Sequence, residues 1–278
     1  MRNYLDLLSH VLETGTESDD RTGVGTLRTF GNEIRFDLTA GFPIVTTKQL
    51  HFKSAVHETL WFISGDTNVK YLQDNGVKIW NEWADENGEL GPVYGAQWRN
   101  WGPCVKFEKP DNAEQVKASL FHFDQLAYTI NQLKTNPESR RHLVSSWNAG
   151  QLPQMKLPPC HLMYQFYVSE GKLSTFVFMR SVDCFLGLPF DIVDYALLTK
   201  MVAQVTDLVP NELIFYLGDT HIYKNHLEQV NLQLTREPKP LPKVMLSPSI
   251  DNIDDFTFGD IVLLDYEAHP RIPGKVAV

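Results

Sequence analysis

The sequence has no apolar run near the ~18 residues that a membrane-spanning helix requires, which argues against a helical integral membrane protein. It opens MRNYLDLLSH, with a charge, a tyrosine and an aspartate where a secretory leader would be continuously apolar, so export is not expected. Cysteine is scarce: Cys104, Cys160 and Cys184 are odd in number and widely spaced, which fits neither a disulfide framework nor a zinc site and points to a reducing cytoplasm. Positive charge is in deficit, with 25 Lys and Arg against 34 Asp and Glu and a net charge of -9. Such a chain repels a polyphosphate backbone, so a general nucleic-acid binder is excluded, although a local group of arginines can still hold one small anion. Linkers and fixed-period repeats are also missing, and residues 1–278 are expected to form a single domain. What the chain does have is apolar and aromatic material, 43% and 12% of 278 residues, enough for a large core.

Periodicity predicts a helix over residues 3–13, with Tyr4, Leu5, Leu8 and Leu12 on one stripe. DRTGVGT (20–26) is a Gly-rich loop carrying Arg21. Alternation predicts a strand over 26–38 and an extended piece over 42–48. Ser54 is a predicted N-cap for a helix over 55–64 that stops at Gly65. Gly91, Pro92 and Gly95 predict a loop around Tyr94, and the polar stretch 102–122 reads as a surface insertion. A helix is expected over 124–134. Strands over 161–168 and 172–180 flank Ser169-Glu170-Gly171, a hairpin signal. A buried helix is predicted over 190–205, a strand running into a polar turn over 213–221, and an amphipathic helix over 222–234, followed by an extended Pro-rich stretch. Helices and hairpins do not alternate as βαβ units, so the class is α+β.

Several residues could carry chemistry, each with a plainer alternative. Cys160 follows two prolines and precedes a strand; it is either a buried structural thiol or a nucleophile, and the latter needs nearby cations to lower its pKa. His161 beside it suggests a cysteine hydrolase, but neighbours on a strand point to opposite faces. Arg21, Arg140, Arg141 and Arg180 are either scattered surface charges or forks for a phosphate. Glu58, on an otherwise apolar helix face, is either a boundary residue or a proton-shuttling carboxyl with a raised pKa. Asp191 starts a helix, where an Asp usually caps. His221 and Tyr223 lie two apart and could reach one ligand together. The tryptophans are either core or stacking platforms for a flat heterocycle.

In order along the chain, DRTGVGT, FPIVTTK, WFISGDTN, IWNEWADENGELGPVYGAQWR, NPESRRH, LPPCH, QFYV, MRSVDCFLGLPFDI, GDTHIYKNH and QLTREPKPLP resemble thymidylate synthase. The resemblance implies a mixed β-sheet with surrounding helices and a homodimer joined through the sheets. It implies that Arg21, Arg180 and Ser181 hold a nucleotide phosphate together with Arg140 and Arg141 of a second copy, and that His221 and Tyr223 hold the sugar 3′-hydroxyl. Cys160 matches the nucleophile that adds to C6 of the pyrimidine, Glu58 the carboxyl that organises proton transfers, and Tyr94 a residue near the C5 proton. Lys48, His51, Trp80, Trp83, Asp183 and the C-terminal Val278 match residues that hold 5,10-methylenetetrahydrofolate, the co-substrate, and Asp183 also borders the nucleotide. No metal is implied.

Two positions depart from the thymidylate pattern: Asp191, where Asn is usual, and Met179, where Gln is usual. An Asn can accept from uracil N3–H and donate to O4, whereas a carboxylate is repelled by O4 and accepts instead from the cytosine N4 amino group. Relatives with Asp at this position are the deoxycytidylate hydroxymethylases of phages, whose setting is the host cytoplasm. The expected substrate is therefore dCMP. The product is 5-methyl-dCMP if the one-carbon unit is reduced, or 5-hydroxymethyl-dCMP if water is added; Trp80, Trp83 and the Val-Ala-Val tail favour methyl. The alternatives are an ordinary thymidylate synthase acting on dUMP, a non-catalytic nucleotide-binding relative, and the cysteine hydrolase.

Overall fold

The stretches with the strongest alternation pair into one sheet. They do so in a computed structural model that describes residues 1–108 and 116–277. Helix α1 (Arg2–Thr14) leads into β1 (Thr16–Ser18) and β2 (Thr26–Asp37), followed by α2 (Phe52–Ser64), α3 (Lys70–Asp74) and α4 (Tyr94–Arg99). Next come β3 (Trp101–Glu108), β4 (Lys117–Phe123), α5 (Gln125–Thr135) and β5 (Leu143–Ser145). The centre is completed by β6 (His161–Ser169), β7 (Lys172–Asp183), α6 (Leu188–Val205) and β8 (Val209–Tyr223). Helix α7 (Leu227–Leu234) and the strands β9 (Lys243–Leu246) and β10 (Ile261–Leu264) follow. The class is α+β. Among the described residues no helix is long and apolar enough to cross a membrane.

The main sheet runs β1-β2-β8-β7-β6-β5. It is mixed: β7 and β8 are parallel, and the other neighbours are antiparallel. A parallel pair cannot be joined by a tight turn, and α6 supplies the crossover. That connection sets the N-terminal turn of α6, with Asp191, just past the end of β7. Helix α6 is apolar on nearly every side because it is packed between β7, β8 and α2. The β6–β7 hairpin closes at Glu170 and Gly171, whose φ values of 51° and 71° are those of a type I′ turn.

Among the described residues the other face of the sheet is left uncovered. Phe178 stands opposite Met163 and Tyr216, and Phe176 opposite Gln165 and Ile214. Phe178, Tyr216 and Tyr167 are exposed on that face, and the Phe176 and Tyr216 rings lie 5.2 Å apart.

Five local expectations are corrected. Residues 42–48 are buried but form no strand, because segments from the C-terminal third bond them instead: Gln233 donates to Thr47, and the Lys239 N–H to Thr46 Oγ1. Ser54 does not cap α2; the helix starts at Phe52, and Ser54 Oγ pairs with His51 Nδ1 at 2.7 Å. The segment around Tyr94 is helical. Gly95 belongs to α4 because a Cβ there would lie 2.8 Å from the Asp66 carbonyl at the end of α2. The 102–122 insertion is on the surface as expected but holds the β3–β4 hairpin, whose residues 109–115 lie outside the described residues. Finally, β8 continues through Tyr223 rather than turning at 218–221, and α7 starts only at Leu227.

Candidate active site

Cys160 lies one residue before β6, held from three directions. Its N–H donates to Tyr94 Oη at 2.7 Å. Its carbonyl accepts from the Arg180 N–H at 2.8 Å across to β7. The Arg180 side chain donates through Nε to the Pro159 carbonyl and through Nη2 to the Pro158 carbonyl, both at 2.8 Å, which leaves Nη2 3.9 Å from Sγ. The two prolines thus contribute only acceptors, and those acceptors fix the one cation beside the thiol. Cys160 is partly exposed, unlike the fully buried Cys184. Its pKa is not lowered as the nucleophile reading requires. Burial pushes it up to about 11, and Arg180 only opposes that rise.

His161 does not serve Cys160. Its Nδ1 bonds Tyr195 Oη at 2.7 Å, its ring stacks on Tyr94 at 4.0 Å, and its Nε2 is 3.7 Å from Asp191 Oδ1. Burial drives its pKa down to about 3, so the ring is neutral. With both ring nitrogens turned toward Tyr195 and Asp191, the hydrolase reading is removed.

Glu58 is not a boundary residue. It is buried in α2, accepts from Trp80 Nε1 at 2.6 Å, and has its pKa raised by burial to about 7. Asp191 is not a helix cap. Gly187 holds the cap position of α6, and no hydrogen bond to the Asp191 carboxyl is found among the described residues. Burial first, then the charges of Glu58 and Asp183, push Asp191 well above the ordinary carboxyl range. Met179 is buried in β7.

A second group of expected residues gathers at the adjoining strand ends. Ser181 and Asp183 on β7 pair with Asp219 and His221 on β8, and Tyr223 pairs with Thr26 at the start of β2. Asp183 accepts from the Phe185 and Leu186 N–H groups at 2.9 and 3.1 Å. His221 and Tyr223 rings are 5.1 Å apart, edge to face. Burial, then the charges of Asp183 and Asp20, raise Tyr223 to about 12; Arg21, exposed in the β1–β2 loop, acts the other way. Arg140 and Arg141 are not brought here. Both are exposed just before β5, at the opposite edge of the sheet. Four strand spacings separate β2 from β5, roughly 20 Å.

The remaining residues line a third region. Lys48 is buried, donates to the Phe185 carbonyl and lies 3.5 Å from the centre of that ring. Burial lowers its pKa to about 7. His51 is exposed at the start of α2, and half-buried Trp83 lies 5.7 Å from Trp80. Val278 lies outside the described residues. The tail before it is held by Asn225 and His226, which reach the Lys275 carbonyl at 3.2 and 2.9 Å.

Sequence reasoning missed two carboxyls. Asp219 accepts from Arg28 at 3.0 Å and pairs with His221 Nδ1 at 3.0 Å; the Asp-x-His spacing on one strand was a visible signal. Asp194, buried in α6, accepts from Thr59 Oγ1 at 3.0 Å and lies against the Glu58 carboxyl. Its only signal was a charge inside an otherwise apolar helix. Residues 2–278 match the family model described as thymidylate synthase.

Proposed function

The chain belongs to the thymidylate synthase family, folate-dependent pyrimidine-nucleotide methyltransferases, and on that premise we propose that it transfers a one-carbon unit to C5 of dCMP. The observation that carries the choice of base is Asp191, a carboxyl freed from helix capping and held 3.7 Å from His161, the residue after Cys160. Burial and the neighbouring carboxyl charges raise the Asp191 pKa well above the usual range, which favours the protonated acid. Against cytosine it donates to N3 and accepts from the N4 amino group, and because N3 is basic the proton can pass to it, leaving a charged pair that draws electrons from C6. Cys160 adds there as the thiolate, which the adjacent Arg180 guanidinium favours. Glu58, with a pKa near 7 and fixed by Trp80, handles protons at the ring.

The nucleotide phosphate falls to Arg21, Arg180 and Ser181, with Arg140 and Arg141 supplied by a second copy, and the sugar hydroxyl to His221 and Tyr223. Two observations support the dimer: the uncovered aromatic face of the sheet, which suits a second sheet, and the distance of the SRRH arginines from the rest of their own site. Methylenetetrahydrofolate supplies the carbon unit when bound. Among the described residues Lys48 makes no ion pair, which suits an anionic tail, and Trp83, His51 and Asp183 would border the pterin side with Trp80. The product is 5-methyl-dCMP, favoured by the Trp80–Trp83 pair and the anchored tail, both of which keep water from the site.

The second reading is dUMP, and the same protonated Asp191 favours it: a neutral acid can accept from uracil N3–H and donate to O4, as an amide does. Mass spectrometry of a reaction with equal dCMP and dUMP and with methylenetetrahydrofolate separates the two. 5-Methyl-dCMP as main product is expected. Mainly dTMP overturns the choice of base, and 5-hydroxymethyl-dCMP overturns the choice of product.

A further inference from the structure

Helix α6 carries one charge on its buried length that the reading above does not use. Asp194 lies one turn beyond Asp191, is 6% exposed, and contacts Glu58 across the α2–α6 packing. We propose that Asp194 is a positioning residue for Glu58, the two forming a carboxyl pair that holds one proton in common and returns it to Glu58 during turnover. The inference rests on the assignment of Glu58 to proton handling.

The hydrogen-bond inventory supports this. Two carboxyl groups bond to each other only if one of them carries a proton. Trp80 Nε1 gives its only hydrogen to Glu58 Oε1 at 2.6 Å. Thr59 Oγ1 lies 3.0 Å from Asp194 Oδ1 and 3.0 Å from the Ala55 carbonyl, with one proton for both. Among the described residues no other donor is supplied, so the contact between the carboxyls needs a proton of their own. The surroundings keep it there. Thr59 on α2, Trp80, and Asp191 and Tyr195 on α6 border the pair, and His161 on β6, 3.7 Å from Asp191, is made neutral by burial. Among the described residues neither carboxyl has a cationic partner, and no cluster of His, Cys, Asp or Glu could hold a metal ion. Two buried anions in contact would be strongly unfavourable, whereas one anion and one acid are not. Burial raises both groups, Glu58 to about 7.

The step is a proton relay. When Glu58 gives its proton toward the pyrimidine, the Asp194 proton moves to Glu58 Oε. When Glu58 takes one up, the proton returns to Asp194 Oδ. No proton is gained or lost over the cycle.

Asp194→Asn keeps the shape and a hydrogen bond to Glu58 but cannot yield its proton. Asp194→Ser removes the second carboxyl with a smaller group, in case the amide disturbs packing. Carbon-13 NMR of labelled Glu carboxyls, with Glu58 assigned through Glu58→Gln, reads its titration without nucleotide or folate. In Asp194→Ser, which loses the donor that lowers Glu58, the midpoint should rise by at least about one pH unit, and in Asp194→Asn, whose amide still donates, it should move less. With substrates, kcat should drop about tenfold or more in both variants, the Glu58-dependent pH limb of Asp194→Ser should shift up by the same amount as the midpoint, and nucleotide KM should change less than about twofold. A midpoint that stays in place or falls in Asp194→Ser overturns the pair. Absence of turnover on any pyrimidine nucleotide would overturn the functional reading instead, since the titration is independent of it.

Discussion

Subunit mixing tests the shared site. Arg140 and Arg141 stand at the β5 edge, and Arg21 at the β1–β2 edge. An arginine side chain reaches about 7 Å from its Cα, far short of the roughly 20 Å of sheet between them. Within one chain they cannot grip one phosphate together. If a second copy packs on the exposed aromatic face, each site takes its thiol from one subunit and two arginines from the other. The perturbation is a pair of inactive proteins, Cys160→Ser and Arg140→Ala/Arg141→Ala, unfolded together at equal amounts and refolded. Random pairing makes about half of the dimers hybrid, and each hybrid has one intact site of two, so about a quarter of the natural activity should return. The assay is product formation, with hybrid content measured by native mass spectrometry. Activity that stays at the level of the parents, with hybrids present, refutes the argument.

Cys160→Ser alone should retain nucleotide binding by calorimetry and lose turnover, because a serine hydroxyl is a far poorer nucleophile toward C6 than a thiolate; substantial turnover in a clean preparation would remove Cys160 from its role. Lys48→Met should raise Tm. Burial lowers Lys48 to about 7, so its protonated form is disfavoured by folding. The penalty is full below pH 7 and fades as pH rises toward the ordinary lysine value, so the Tm gain should be largest at pH 6–7 and small near pH 10, while folate KM increases. A gain that does not vary with pH, or an unchanged folate KM, contradicts these two parts in turn.

Much of the fold was legible because its signals were local. The hairpin turn at Glu170-Gly171, the apolar run of α6 and the alternation of β2 each state their own geometry. The errors came where tertiary contacts decide. Residues 42–48 look like a strand, yet their polar groups are taken up by residues more than 180 positions later. Gly95 reads as a loop former, but it serves a close helix–helix approach. At the site, motif order singled out Cys160, Arg180 and Glu58 as candidates, and geometry then sorted the alternatives: His161 belongs to Asp191 and Tyr195, and Asp191 is no cap. Asp194 could not have been read, because its partner Glu58 is on another helix 136 positions away and the contact exists only once α2 and α6 pack.

The measurement closest to the central claim is kcat/KM for dCMP and for dUMP, on the natural protein and on Asp191→Asn. The substitution changes one atom group and hardly any volume, so packing should survive. The amide keeps a donor and an acceptor suited to uracil but has no proton to pass to cytosine N3. The amide can form the same two hydrogen bonds but cannot transfer a proton, and losing such a transfer is enough for a change of about 10²–10⁴-fold in the ratio. The natural protein should prefer dCMP, and Asp191→Asn should lose dCMP activity while dUMP activity rises. A natural preference for dUMP, or a ratio that Asp191→Asn leaves unchanged, would contradict the assignment of cytosine.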